Sequence, residues 1–338
     1  MSHTTPTPAA SLAHDPAWPR TGGWPAPAPS ERADLALIGI PTSRTSLSRS
    51  NAHETPDAVR QALRRYSGHL VAAGLPSARG TEAELVIDEA LRIVDAGNVT
   101  DPDSEAGEIT ATAKVAELAR LSELVVALGG DNALTVPAAL GVAGKSLSTA
   151  GIITLDAHHD LRDGRSNGSP VRRLVDAGLD PRRIVQIGIA DFANSRAYRQ
   201  RARDWGITVI HRDELHERPL REITAEALEI AGAAGGPIHV DLDVDVCDRS
   251  VAPGCPASIP GGIQAHELRA ITRLLATDPR VRGIDIAEVD ATADAPDGRT
   301  VRLAALCVLE AAAGLAQRLG RATPSSPPQQ DRPGSIHR

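Results

Sequence analysis

The stretch Ile152-Ile153-Thr154-Leu155-Asp156-Ala157-His158-His159-Asp160 decides how this chain is read. Its first four residues are an apolar, partly β-branched run, the pattern of a buried strand. The next five contain four side chains that can coordinate a divalent ion. The motif therefore sits where a strand ends and a loop begins, which in parallel α/β sheets is the edge where ligands bind. Asp156, His158 and Asp160 stand at alternate positions and could converge from one short loop. Carboxylate with imidazole suits Mn(II) or Zn(II). Taken alone, a polar loop with one capping Asp explains the stretch equally well.

Working outward, similar apolar runs recur with helical segments between them. Leu35-Ala36-Leu37-Ile38-Gly39-Ile40 reads as a strand, and Thr55-Pro56 opens a helix with Thr as N-cap and Pro at the first position. A second short apolar run lies within 84–95, and a helix spans about Ser104 to Arg120. Leu124-Val125-Val126-Ala127-Leu128 is another strand and ends in Gly129-Gly130-Asp131-Asn132, where paired glycines let the backbone turn or approach a ligand closely. Further strands are expected at 184–189, 207–210, 238–243 and 282–289, with helices at 195–205, 220–231, 264–277 and 300–319. This alternation predicts an α/β fold, a three-layer α/β/α sandwich on a parallel sheet of about eight strands.

Composition narrows the function classes. The chain has 338 residues, a net charge of −7 and only six aromatic residues, so its core must be Ala, Val, Leu and Ile. No Lys/Arg-rich block interleaved with aromatics points to nucleic acid. No run reaches the roughly 18 apolar residues of a membrane span, and no apolar leader is seen. Cys247, Cys255 and Cys307 make neither a disulfide framework nor a zinc ribbon, which favours a reducing cytoplasm. Residues 1–32 are rich in Pro, Ala, Thr and Ser and are expected to be a disordered tail, although Trp18 and Trp24 could dock it on the body. Residues 33–322 read as one catalytic domain, and 323–338 as a loose Pro/Ser/Gln-rich tail.

A second acidic segment changes the weight of the first. Asp241-Leu242-Asp243-Val244-Asp245 interrupts an apolar strand with carboxylates at alternate positions, which share one face. Unpaired buried carboxylates need a cation or a proton. Loop acids beyond an early strand end would be the alternative. Ala252-Pro253-Gly254 and Pro260-Gly261-Gly262 follow, rigid turns that could shape a pocket wall. Two carboxylate-rich loops suggest a two-metal site, with Asp156 and Asp241 as bridging ligands around a water of lowered pKa. Glu288, at the end of another apolar run, could hold a cationic amidine or guanidinium.

Taken together, Gly129-Gly130-Asp131-Asn132, Asp156 to Asp160, Asp241-Leu242-Asp243 with Ala252-Pro253-Gly254, and Glu288 resemble the ureohydrolase superfamily of arginase, agmatinase, guanidinobutyrase and formimidoylglutamase. The resemblance runs from about Leu35 to Leu319. It implies hydrolysis of a C–N bond at an amidine or guanidine carbon, two Mn(II) per chain, and a trimer or hexamer. It further implies Asp156 and Asp241 as bridging ligands, Asp160 completing one metal, His158 and Asp243 serving the other, and Glu288 binding the amidinium. Asn132 stands where the family normally has a ligating histidine, so the first metal should be held less tightly. Asn167 stands where agmatinase-like members often carry a proton-shuttling histidine.

Several details resemble formimidoylglutamase most: Leu161-Arg162 closing the central motif, Asn167-Gly168-Ser169-Pro170, Ala193-Asn194-Ser195, and Arg299-Thr300-Val301-Arg302. The implied reaction is hydrolysis of N-formimidoyl-L-glutamate to glutamate and formamide, a step of histidine breakdown. Arg162, Arg172 and Arg173 are candidates for its carboxylates, with Asn167, Ser169 and Glu288 also expected near the substrate. Asp160 is the candidate proton carrier. The alternatives are a guanidino hydrolase releasing urea, or a non-catalytic relative with a weakened first metal.

Overall fold

The computed structural model describes residues 14–71 and 83–321, together with the pair 323–324. Its strands are β1 (Ala33–Ile40), β2 (His69–Val71), β3 (Ala83–Val86), β4 (Ile93–Asn98), β5 (Ser122–Gly129), β6 (Gly151–Leu155), β7 (Ile184–Ile189), β8 (Thr208–His211), β9 (Ile238–Asp243), β10 (Val281–Ala287) and β11 (Thr323–Pro324). Eight of them form one sheet in the order β4-β1-β5-β10-β9-β6-β7-β8. Every pairing in it is parallel. The expected sandwich is therefore the observed one.

Alternation along β1 shows how the layers are cemented. Leu35 and Leu37 point into one core, with residues of the helices Thr55–Leu63, Leu220–Ala231, Ala265–Ala276 and Arg299–Arg318. Ala36, Ile38 and Ile40 point into the opposite core, against Ala111 and Val115 of Glu105–Leu121 and Ala138 of Thr135–Ala143. A sheet buried on both faces needs apolar residues at successive positions, and the strand sequences supply them. The helix Arg299–Arg318 is long and apolar enough to cross a bilayer by composition, yet its most apolar window is 83% buried inside the fold. It is a core helix.

Three expectations are corrected. The segment 84–95 is not one run: β3 joins a small antiparallel sheet with β2 and β11, a helical turn follows at Ile87–Ala90, and β4 then enters the main sheet. The expected disordered tail is packed from about residue 20: Thr21 is fully buried. Thr21 Oγ1 and Trp24 Nε1 both donate to Asp88 Oδ1, at 3.1 and 2.8 Å. Asp95 N donates to Pro25 O at 2.8 Å. Hydrogen-bonding side chains and a free carbonyl, rather than apolar periodicity, attach this segment, so a search for periodicity passes over it. At the other end Thr323 and Pro324 pair with Glu84 and Ala83 of β3. Residues 1–13 and 325–338, the remainder of both expected tails, lie outside the described residues.

Candidate active site

The sheet order sets the site. β5, β10, β9 and β6 are adjacent and parallel, so the loops after them open side by side. They carry Asp131-Asn132, Glu288, Asp243 to Asp245, and Asp156 to Asp160 respectively. Non-local strand order makes one cluster out of four separated segments, at the place where crossover connections diverge. Close approach helps: a Cβ on Gly130 would lie 2.1 Å from Thr42 O, so only glycine lets β5 end against that turn.

The loop after β6 is folded by its own carboxylates. Asp156 Oδ1 accepts from His158 N at 2.6 Å, and Asp245 Oδ1 accepts from Ala157 N at 2.9 Å. Asp245 itself sits in the 3-10 turn Val244–Val246 immediately beyond β9, where its N–H donates to Asp243 Oδ1 at 2.9 Å. His158 Nδ1 then lies 2.7 Å from Asp245 Oδ2 and 3.5 Å from Asp156 Oδ1. Among the described residues, Asp156, His158 and Asp245 form a group whose donor atoms all lie within 4.8 Å of one another. Asp156 Oδ2 and Asp245 Oδ2 are buried without an aligned hydrogen bond. Buried carboxylate oxygens beside an imidazole, left open on one side, are the donor set that a hard or borderline divalent cation satisfies.

Asp160 and Glu288 complete the rim. Both adopt left-handed backbone, with φ of 52° and 62°. Such conformations are costly for non-glycine residues and gather at functional sites. Asn132 ties the two together: its N–H donates to Glu288 Oε1 at 2.8 Å and its Nδ2 to Asp160 Oδ2 at 2.7 Å. Asn167 Nδ2 also donates to Glu288 Oε1, at 2.6 Å.

Burial dominates the electrostatics. It pushes Asp160 up to about 7, against the opposing charge of His158, and Glu288 up to about 8 with help from Asp131. Asp156 and Asp243 are also raised well above the usual carboxylate range, by burial and then by neighbouring acids. Burial disfavours a charged His158, but the Asp245 carboxylate outweighs it and lifts the imidazole to about 9. Asp245 is the exception among the acids: despite burial, His158 holds it below the usual range. A set of acids that resists ionisation when unaccompanied calls for positive charge.

Two expected ligands are placed differently. Asp241 lies inside β9, in register with Thr154 of β6 and Asp285 of β10, and both its oxygens are buried without an aligned hydrogen bond, beside Asp285 and Asn132. Burial and the Asp285 charge drive its pKa well up. β9 runs through Asp243, so its register puts Asp243 and Asp245 at the sheet edge and Asp241 one pleat inside it. Asp245, part of the same alternation but not among the expected ligands, is the residue that joins Asp156 and His158 in the candidate donor group. Asn132 presents its NH2 to Asp160, while its Oδ1 accepts from Thr135 Oγ1 at 2.8 Å. Its amide thus positions Asp160 instead of aiming an oxygen at a cation.

A cavity of about 610 Å³ opens over this cluster, lined by His158, Asp160, Asp243, Asp245 and Glu288 at one side and by Arg162, Asn167, Tyr198 and Arg201 at the other. Arg162 and Asn167, both expected near the substrate, line this cavity. Ser169 does not line the cavity; its hydroxyl closes the turn by bonding Ser166 N and O at 2.9 and 2.8 Å. Arg172 and Arg173 do not line the cavity either, and Arg172 pairs with Asp163 and Asp176. Arg173 makes a two-pronged pair with Glu108, at 3.0 and 2.6 Å. The second cavity arginine is Arg201, which also pairs with Asp163 at 2.9 Å; Arg201 and Arg162 lie 5.7 and 5.9 Å from the centroid of the Tyr198 ring. Nothing in its local helical sequence distinguishes it from its neighbours, so only the fold could select it.

Residues 33–314 match the family model described as the arginase family. The chain belongs to the arginase family. Among the relatives of this arginase-family chain, the formimidoylglutamase of Bacillus subtilis strain 168 is 35% identical over 285 residues, covering 83% of this chain and 86% of that protein. The proclavaminate amidinohydrolase of Streptomyces clavuligerus is 31% identical over 264 residues, 76% and 80% of the two chains. The crystal structure of the Bacillus subtilis formimidoylglutamase superposes with a TM-score of 0.79 at 31% identity, covering 91% of this chain and 95% of that one. A Trypanosoma cruzi formiminoglutamase structure with Mn2+ shares the fold, with a TM-score of 0.72 at 22% identity over 87% of this chain and 96% of that one.

Proposed function

We propose that this chain hydrolyses the C–N bond of N-formimidoyl-L-glutamate, giving L-glutamate and formamide. The observation that carries the reading is the Asp156, His158 and Asp245 donor group, of which His158 and Asp245 line the same cavity as Glu288 and two arginines. The similarity to formimidoylglutamases supports the choice of substrate.

The donor set fits a pair of Mn(II) ions. Asp156, His158, Asp243 and Asp245 would hold one, and Asp156, Asp160 and Asp243 the other, with Asn132 bracing Asp160. When bound, the metals supply Lewis acidity and lower the pKa of a water. The chain's own groups do the rest. Glu288, fixed by Asn132 and Asn167, takes the cationic amidine, whose charge favours the ionised carboxylate. Asp160, braced by Asn132 at the cavity wall, accepts a proton from the attacking water and returns it to the leaving nitrogen. Arg162 and Arg201 take the two carboxylates at the far end of the substrate. Free, buried cysteines suit a cytoplasmic setting, and a homo-oligomer is expected from the family.

A panel of N-formimidoyl-L-glutamate, agmatine, guanidinobutyrate and arginine with added Mn(II) tests the reading. Formamide release from the first, at a kcat/KM well above the others, is expected. Urea release from a guanidino compound instead would overturn it. The kinship with proclavaminate amidinohydrolase is what favours that second outcome.

A further inference from the structure

Behind the catalytic loop lies a separate cavity of about 240 Å³. Its polar lining is wholly basic: His159, Arg199, Arg203 and His211, over the apolar side chains of Ile207 and Val209. Arg199 and Arg203 are one turn apart on the helix Arg196–Trp205 and so share a face. Neither side chain has an ion-pair or hydrogen-bond partner among the described residues, unlike Arg201 between them, which bonds Leu161 O and Asp163.

His159 gives the cavity a buried, oriented end. The residue is 1% exposed. Its backbone is clamped, with N donating to Asn194 Oδ1 at 2.9 Å and O accepting from Gln186 Nε2 at 2.9 Å. The second bond fixes Gln186 with its Oε1 toward the ring, 2.7 Å from His159 Nδ1. Nδ1 must therefore carry the hydrogen, and in the neutral ring Nε2 keeps a lone pair. Nε2 has no protein partner among the described residues and is the side of the ring left for the cavity. The site thus offers two forked cationic donors and, between them and the loop, one acceptor.

We propose that this cavity binds monohydrogen phosphate, with Arg199 and Arg203 on its charged oxygens and its P–O–H donating to His159 Nε2. Arginine forks match phosphate oxygens, and the hydroxyl is what distinguishes this anion from sulfate. His159 lies between His158 and Asp160, so an anion here would brace the reverse side of the loop that carries both.

Calorimetric titration of inorganic phosphate into the metal-loaded full chain tests this, beside an Arg199→Gln/Arg203→Gln double variant and with sulfate as the comparison anion. Both arginines are exposed and unpaired, so the variant should melt as the wild type does. The wild type should bind one phosphate per chain that the double variant binds at least about tenfold more weakly, and sulfate should be weaker by a similar factor. Equal phosphate binding by the two proteins would assign it to the metal centre and overturn the site. Sulfate binding as tight as phosphate would overturn the contact to Nε2. No binding to either protein would overturn the proposal entirely.

Discussion

The imidazole of His158 stands with Nδ1 2.7 Å from Asp245 Oδ2, across the gap between the loop after β6 and the turn after β9. That pair joins two segments nearly ninety residues apart. It makes Asp245, rather than Asp241, the partner of the central motif.

Replacing Asp245 by Asn should therefore empty the site. Metal affinity should drop by about 10- to 100-fold or more, read as Mn per chain after dialysis and by titration. Asp241→Asn should keep the His158 group intact and retain at least one Mn. Loss of all metal from Asp241→Asn with retention in Asp245→Asn would make Asp241, not Asp245, the ligand.

The metal-free protein should respond to pH in an unusual direction. Asp160 and Glu288 have folded-state values of about 7 and 8, above those of the unfolded chain, so folding takes up protons between roughly pH 4 and 8. His158, raised to about 9, acts in the same sense: its contribution is complete below its unfolded value and fades as pH passes the folded one. Stability of the chelated protein should fall steadily from pH 5 to 9 through these groups. Mn(II) should flatten the slope. Melting temperatures measured with and without chelator decide it; a metal-free melting temperature rising from pH 5 to 8 would contradict the assignment.

The cavity arginines should separate binding from chemistry. Arg162→Ala and Arg201→Ala should each raise KM for N-formimidoyl-L-glutamate about tenfold or more, and change little for an uncharged-tail amidine. Arg173→Ala, which breaks only the pair with Glu108, should leave KM alone. Equal effects of Arg201→Ala on both substrates would remove it from the substrate site.

Asp160→Asn isolates the proton step. With both metals retained, kcat should fall by about 10²-fold or more. Unchanged turnover in a fully metallated variant would eliminate Asp160 as the proton carrier.

Asn132→His tests the brace on Asp160. The imidazole can donate to a cation, whereas the amide oxygen is held by Thr135. Mn retained after mild dialysis should increase; a decrease would mean that the bond from Asn132 to Asp160 matters more than an added ligand.

Periodicity and strand ends were enough, from the sequence, to establish the parallel sheet, the helices between its strands, and the loops that carry the chemistry. Those are local properties: a β-branched apolar run and the polar residues that stop it are adjacent in the chain. Asp156, His158, Asp160, Asp243 and Glu288 stand out in the sequence because each lies at the end of such a run or in the few residues after it. The three-dimensional arrangement decided what local pattern could not. The register of β9 against β6 and β10 put Asp245 at the edge and Asp241 beneath it. The orientation of the Asn132 amide was fixed by Thr135, and Arg201 was chosen from a row of similar arginines because one helix face looks into the cavity. Each of these depends on which atoms from distant segments meet, and a residue's type and spacing carry no record of its neighbour across a sheet.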